Sequence, residues 1–401
     1  MPNNVSAGPD QRAYRLSSID MLRGLIIVIM ALDHVRDFTM TGAVIDPMTD
    51  PNVSPLLFFT RWISHFCAPV FIFLAGTSAG LMANRKTPAQ LAEFLFKRGV
   101  WLLFVEIFIL STAISFSPFE FLRPGAHTEF FMQTLTAIGV GMIVLSGAQF
   151  LGMRACLMIG ALIVLGHNLL DGIWPESTIG RVDAPLWVAL HTQMSLTFEH
   201  VQFFFIYPVL PWSGVMLLGF GSAGLFRKLP DYRNEQLFKI GLGLIAAFII
   251  LRAFDVYGDA HKWSIQPDGL LKTLMNFLNT TKYPPSLLYL LMTLGPAALL
   301  CSYADHFKGW LKDTLVMYGR VPFAFYVVHF YLAHTVAVAI GMTQGYSFSE
   351  MTSFGHTPEH AGLHLGGVYL AWIAVVVILY PFCRWVAAVK ARRSDWWLSY
   401  L

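Results

Sequence analysis

Charge is scarce in this chain. Only 13% of its 401 residues are Asp, Glu, Lys or Arg, about half the share of a soluble domain. Net charge is +3 and the basic residues are scattered, which excludes a nucleic-acid binder of the usual kind. Cysteine is nearly absent. The four present, Cys67, Cys156, Cys301 and Cys383, lie in or beside apolar runs and lack CxxC spacing. They read as buried small hydrophobes, with no disulfide frame and no zinc site. With no Walker loop and no HExxH, nucleotide-triphosphatase and zincin readings find no support, and a serine hydrolase is not expected either. Residues 1–14 are polar and lack a cleavable signal pattern, so the first apolar run reads as a retained span.

What the chain has in abundance is apolar sequence: 56% of it is hydrophobic. A membrane helix needs roughly 20 apolar residues, and ten runs qualify, near 18–38, 61–83, 93–116, 129–150, 153–171, 202–226, 236–255, 284–303, 314–340 and 366–388. The expected fold is an all-α polytopic helix bundle, with a kink at Pro208 and Pro211 in the sixth span. If both termini are cytoplasmic, 17 of the 27 basic residues fall in inside segments and eight outside, with Arg23 and Arg320 inside spans. That satisfies the positive-inside rule.

Charged groups at membrane depth are functional candidates. Arg23 and His34, both in the first span, are eleven residues apart. At 100° per residue they share a helix face, about 16 Å apart along the axis. Asp37 lies one turn beyond His34, placed to orient its ring. Asp33 points elsewhere and suits Arg36. His65 opens the second span at a similar expected depth, so His34 and His65 form a possible acid/base pair. His329 is deep in the ninth span, and Arg320 at that span's inner end suits a phosphate or carboxylate. Glu106, midway along the third span, reads as structural. His356, His360 and His364 have i, i+4, i+8 spacing, but Gly355, Pro358 and Gly362 argue against a helix, and no metal is expected. Trp62, Trp174, Trp187 and Trp263 in outer segments suit interface packing or sugar stacking. The plainer reading of every polar residue is that it knits helices together.

Three early blocks resemble a known family: Ser18-Ile19-Asp20-Met21-Leu22-Arg23-Gly24, Asp33-His34-Val35-Arg36-Asp37-Phe38, and the run from His65 to Ser78. Later blocks match as well: Lys282-Tyr283-Pro284-Pro285, Gly319-Arg320-Val321-Pro322 and the tail from Asp395 to Leu401. Together they are similar to bacterial members of the heparan-alpha-glucosaminide N-acetyltransferase catalytic-domain family, within a wider set of transmembrane acyltransferases. The resemblance implies a cytoplasmic tail (1–17) and one transmembrane acyltransferase domain (18–401) in a bacterial inner membrane. It implies an acetyl-CoA donor inside, a small-molecule or glycan acceptor outside, the lipid bilayer as partner, and neither metal nor nucleic acid. Lysosomal relatives carry their active histidine in the loop after the first span. Here that loop, 39–60, has none, so the catalytic role falls to His34 or His65, with Asp37 in support. Arg23, Arg320 and His329 are then the donor-binding residues. A transporter or flippase with Arg23, Glu106 and His329 along its path is the competing reading.

Overall fold

The computed structural model describes residues 9–42, 46–116, 128–171, 185–198, 201–352, 358–393, 395 and 397–398. Helices account for most of these. The first, α1 (Pro9–Thr39), runs unbroken through the Arg23 to His34 interval. The second span is two stacked helices, α2 (Pro55–Ser64) and α3 (Cys67–Met82). The third is α4 (Pro88–Phe104), a π-helical turn (Val105–Leu110) and α5 (Ser111–Ser115). Then come α6 (Thr134–Ala148), α7 (Met153–Gly166) and the short α8 (Pro185–His191). The later helices are α9 (Val209–Ser222), α10 (Pro230–Phe254), α11 (Leu270–Leu278), α12 (Leu287–Tyr303), α13 (Trp310–Arg320), α14 (Pro322–Thr343), α15 (Phe348–Met351) and α16 (Leu365–Arg392).

Seven segments are long and apolar enough to cross a membrane: Pro55–Met82, Thr134–Leu151, Met153–Leu170, Val209–Arg227, Pro230–Phe254, Pro322–Thr343 and Leu365–Arg392. The apolar α12 is shorter. With α1 and the α4–α5 segment, which carry more charge, every expected span has its helix. The molecule is an all-α membrane bundle.

Three boundaries differ from the sequence expectation, each for a local reason. Residues 129–132 and 202–205 are not helical. They belong to β1 (Thr128–Met132) and β3 (Val201–Phe205), which pair in parallel, while β2 (Met194–Phe198) pairs antiparallel with β3. Aromatic side chains favour a pleated surface, and Phe131 stacks on Phe204 across the pair with centroids 5.2 Å apart. The kink expected in the sixth span does not form there. Pro208 is the residue before α9 and Pro211 lies in its first turn, where no intrahelical hydrogen bond is lost. The ninth span is broken at Val321, so Arg320 ends the separate helix α13 and Pro322 opens α14.

Two glycines set the inner half of the bundle. A Cβ on Gly24 would fall 1.8 Å from the Leu315 carbonyl oxygen, and one on Gly319 1.8 Å from the Asp20 oxygen. Thus α13 lies backbone to backbone against α1, and its last residue, Arg320, is delivered beside Asp20.

Candidate active site

A small crevice, with room inside for about one water-sized group, is lined by Met30, Asp33 and His34 of α1, Ser64 of α2, Cys67, Ala68 and Phe71 of α3, and Thr134, Tyr207 and Lys282. Strands β1 and β3 end beside each other, with Ile206 N–H donating to the Met132 carbonyl at 3.1 Å. The chain then delivers Thr134 and Tyr207 to the same wall. Glu106 stands behind that wall. One oxygen of its carboxyl accepts from Thr136 N–H at 2.8 Å, in the first turn of α6.

His34 and His329 meet here. His34 Nδ1 is 2.7 Å from His329 Nε2, and His329 Nδ1 is 3.2 Å from the Phe325 carbonyl. A carbonyl only accepts, so His329 carries its proton on Nδ1 and its Nε2 is an acceptor. His34 therefore donates from Nδ1, leaving Nε2 with a free lone pair on the ring that lines the crevice. The assignment follows from the hydrogen-bond network. Phe330 packs on the His34 ring with centroids 4.2 Å apart and fixes its tilt. His329 is thus placed at the His34 ring; the expected grouping with Arg23 and Arg320 is not what the fold produces.

His65 is buried one residue from the crevice wall, and neither ring nitrogen has a hydrogen-bond partner. Its ring packs against Tyr289, whose hydroxyl donates to the His65 carbonyl at 2.7 Å. The partner of His34 is His329 from α14, a pairing across 295 positions that helical spacing in one span cannot reveal. Asp37 turns to Arg36 and leaves His34 to His329. Asp33 does pair with Arg36, at 2.8 Å, and also with Arg61, which reaches Asp46 at 3.3 Å. Arg36 and Arg61, expected in outer segments, are buried where α1 meets α2. Breaking a buried ion pair strands the surviving charges. Asp33→Asn should destabilise the protein by about 3–5 kcal/mol, read as a lowered unfolding temperature in detergent. An unchanged temperature would show that Arg36 and Arg61 do not depend on it.

Arg23 faces α3. It donates to the Leu74 carbonyl at 3.1 Å and to Ser78 Oγ, and pairs with Asp20 at 3.3 Å. Arg320, 64% exposed, reaches the same carboxylate at 3.9 Å. Lys390 and Arg98 add to this electrostatic neighbourhood. Arg23 thus meets α3 at Leu74 and Ser78, further along the helix from the crevice-lining Cys67, Ala68 and Phe71. Arg23 and His34 stand about 16 Å apart along α1.

His356, Trp174 and Trp396 lie outside the described residues. His360 lies in a turn and His364 precedes α16. Trp62 packs on Phe66, and Trp263 donates to the Arg252 carbonyl at 2.7 Å. The stretches Gly76-Thr77-Ser78-Ala79-Gly80 and Gly219-Phe220-Gly221-Ser222-Ala223-Gly224 match GxSxG and GxGxxG by letter. The first is inside α3, and its Ser78 hydroxyl donates to the Leu74 carbonyl at 2.6 Å; the second is at the end of α9. Neither follows a strand, so neither is a nucleophile elbow or a dinucleotide loop. Lys282, Tyr207 and Thr134 were not singled out as site residues by the sequence. Lys282, in a polar loop 248 positions from His34, offered only its place in a family-like block.

A search of curated proteins finds no match. The family model for heparan-alpha-glucosaminide N-acetyltransferase, catalytic, matches residues 15–251. The match takes in Arg23, His34, Asp37 and His65 and stops before Lys282, Arg320 and His329. It covers more than half of the chain, which therefore belongs to the heparan-alpha-glucosaminide N-acetyltransferase catalytic family, a family of membrane acetyltransferases.

Proposed function

We propose that the protein takes an acetyl group from cytoplasmic acetyl-CoA and passes it to an amine or hydroxyl on an extracytoplasmic acceptor, a glycan being the favoured class. The membrane is a bacterial inner membrane. The observation that carries this reading is the 2.7 Å contact from His34 Nδ1 to His329 Nε2, which leaves a basic nitrogen at the crevice. In the transfer, His34 Nε2 takes the acceptor proton as the acceptor nitrogen or oxygen attacks the thioester carbonyl. The tetrahedral oxyanion forms within reach of Lys282. The carbon–sulfur bond then breaks, and the CoA sulfur leaves with the proton that His34 returns. Arg23 and Arg320 hold the CoA phosphates on the cytoplasmic side, with Lys390 and Arg98 nearby. Against the transporter reading, one oxygen of Glu106 is taken by Thr136 N–H at the start of α6.

Sealed right-side-out vesicles test the two-sided reaction. Labelled acetyl-CoA loaded in the lumen should acetylate an amine or glycan acceptor supplied outside, and external acetyl-CoA should not replace it. Equal transfer from external acetyl-CoA would refute the two-sided arrangement. Failure of purified protein to bind CoA or to release acetate slowly from acetyl-CoA would refute the donor.

A further inference from the structure

Away from the crevice, at the other end of α7 from Met153, four acceptor atoms converge. His167 Nδ1 lies 3.4 Å from His191 Nε2, and His191 Nε2 lies 3.7 Å from Asp171 Oδ1. One donor atom from each of these three side chains falls within 4.8 Å of the others. The fourth acceptor is the His167 carbonyl oxygen, 3.0 Å from His191 Nε2. His167 and Asp171 are four residues apart across the end of a helical segment, and His191 closes α8 onto them.

Three groups compete for one proton in this arrangement. If His191 carries its proton on Nε2, one N–H is shared among a carbonyl, an imidazole lone pair and a carboxylate. If His167 donates from Nδ1 instead, the His191 lone pair faces the His167 carbonyl at 3.0 Å. The Pro285 backbone also faces the His167 ring, a contact of the kind that fixes which nitrogen of a metal-binding histidine is left free. A divalent cation placed among the four acceptors removes the conflict. Ligand atoms of a tetrahedral zinc with bonds of about 2.0–2.1 Å lie roughly 3.3 Å apart, close to the spacings seen here. Support from the next layer is in place: Asn168 donates to Asp171 Oδ2 at 2.8 Å, holding the carboxylate so that Oδ1 faces His191.

We propose that His167, Asp171 and His191, with the His167 carbonyl, bind one zinc ion as a structural site. Two imidazoles and one carboxylate suit zinc better than calcium or magnesium, which take oxygen ligands. Four protein ligands close the shell, as in structural rather than catalytic zinc. Asn168 Oδ1 also accepts from Leu287 N–H at 2.9 Å, which ties the cluster to the start of α12.

The test is metal content and stability of the purified full chain, neither of which depends on the acetyltransferase reading. Protein stripped with a chelator and re-equilibrated with zinc should hold about one equivalent per chain, and zinc should raise its unfolding temperature. His191→Ala should weaken zinc binding at least about tenfold. Asp171→Asn, which keeps an amide for Asn168 to bond, guards against loss of fold in the first variant and should weaken binding likewise. Wild-type protein with less than a tenth of an equivalent of zinc, or binding unchanged in a folded Asp171→Asn variant, would overturn the site. So would magnesium or calcium raising the unfolding temperature as much as zinc does.

Discussion

His34→Ala should lower acetyl transfer by about 10²–10⁴-fold, the range of a lost general base, while CoA binding and the unfolding temperature stay near wild type. The argument starts from tautomers. The Phe325 carbonyl fixes the proton on His329 Nδ1, and His329 Nε2 then fixes the proton on His34 Nδ1. What is left at the crevice is an unprotonated His34 nitrogen, held in place by Phe330. His329 acts through His34, so it is a positioning residue. His329→Ala frees the His34 ring to rotate and exchange tautomers and should cost less than the loss of His34 itself. His329→Gln offers an amide oxygen near the same point and should recover part of that loss, which a merely structural histidine would not predict. The readout is single-turnover acetylation with labelled acetyl-CoA. Near-normal turnover in His34→Ala would remove His34 as the base. Loss of turnover in His65→Ala with His34→Ala active would transfer the role to His65.

The helices were legible because a bilayer asks for long apolar runs, and length and composition are properties of one segment at a time. The same locality made Asp33 with Arg36 readable, at i and i+3. The phase relation between Arg23 and His34 was readable too, since α1 is unbroken between them. What the sequence hid depends on which helices are neighbours. His329 reaches His34 because α14 packs on α1, and Lys282 reaches the crevice through a loop. Apolar periodicity also fails where a run is aromatic: Phe203, Phe204 and Phe205 have the hydropathy of a span but pair as a strand. His167 and Asp171 had a readable four-residue spacing, but their third partner, His191, lies 20 positions further on. The His356, His360 and His364 series drew attention by spacing alone.

Lys282→Met should reduce turnover by about 10²–10³-fold, the size of effect seen when one oxyanion donor is removed, with little change in KM for either substrate. Lys282 is only 8% exposed, and it lines the crevice with His34. Its ammonium lies 5.1 Å from the Tyr283 ring centroid. Burial pushes the Tyr283 phenol up to about 12, so that neighbour is a neutral aromatic face. Arg36 and Arg61 already engage the adjacent carboxylates of Asp33, Asp37 and Asp46, which leaves the lysine charge for an anion that forms in the crevice. Such a charge is worth most in the transition state, when the thioester carbonyl oxygen becomes an oxyanion in a dry site. An interaction made only there lowers kcat and kcat/KM together. Lys282→Arg keeps the charge on a broader fork and should restore part of the rate, whereas methionine keeps the apolar stem without the charge. If Lys282→Met instead raises KM for acceptor or donor and leaves kcat intact, the lysine holds a substrate and does not stabilise the oxyanion.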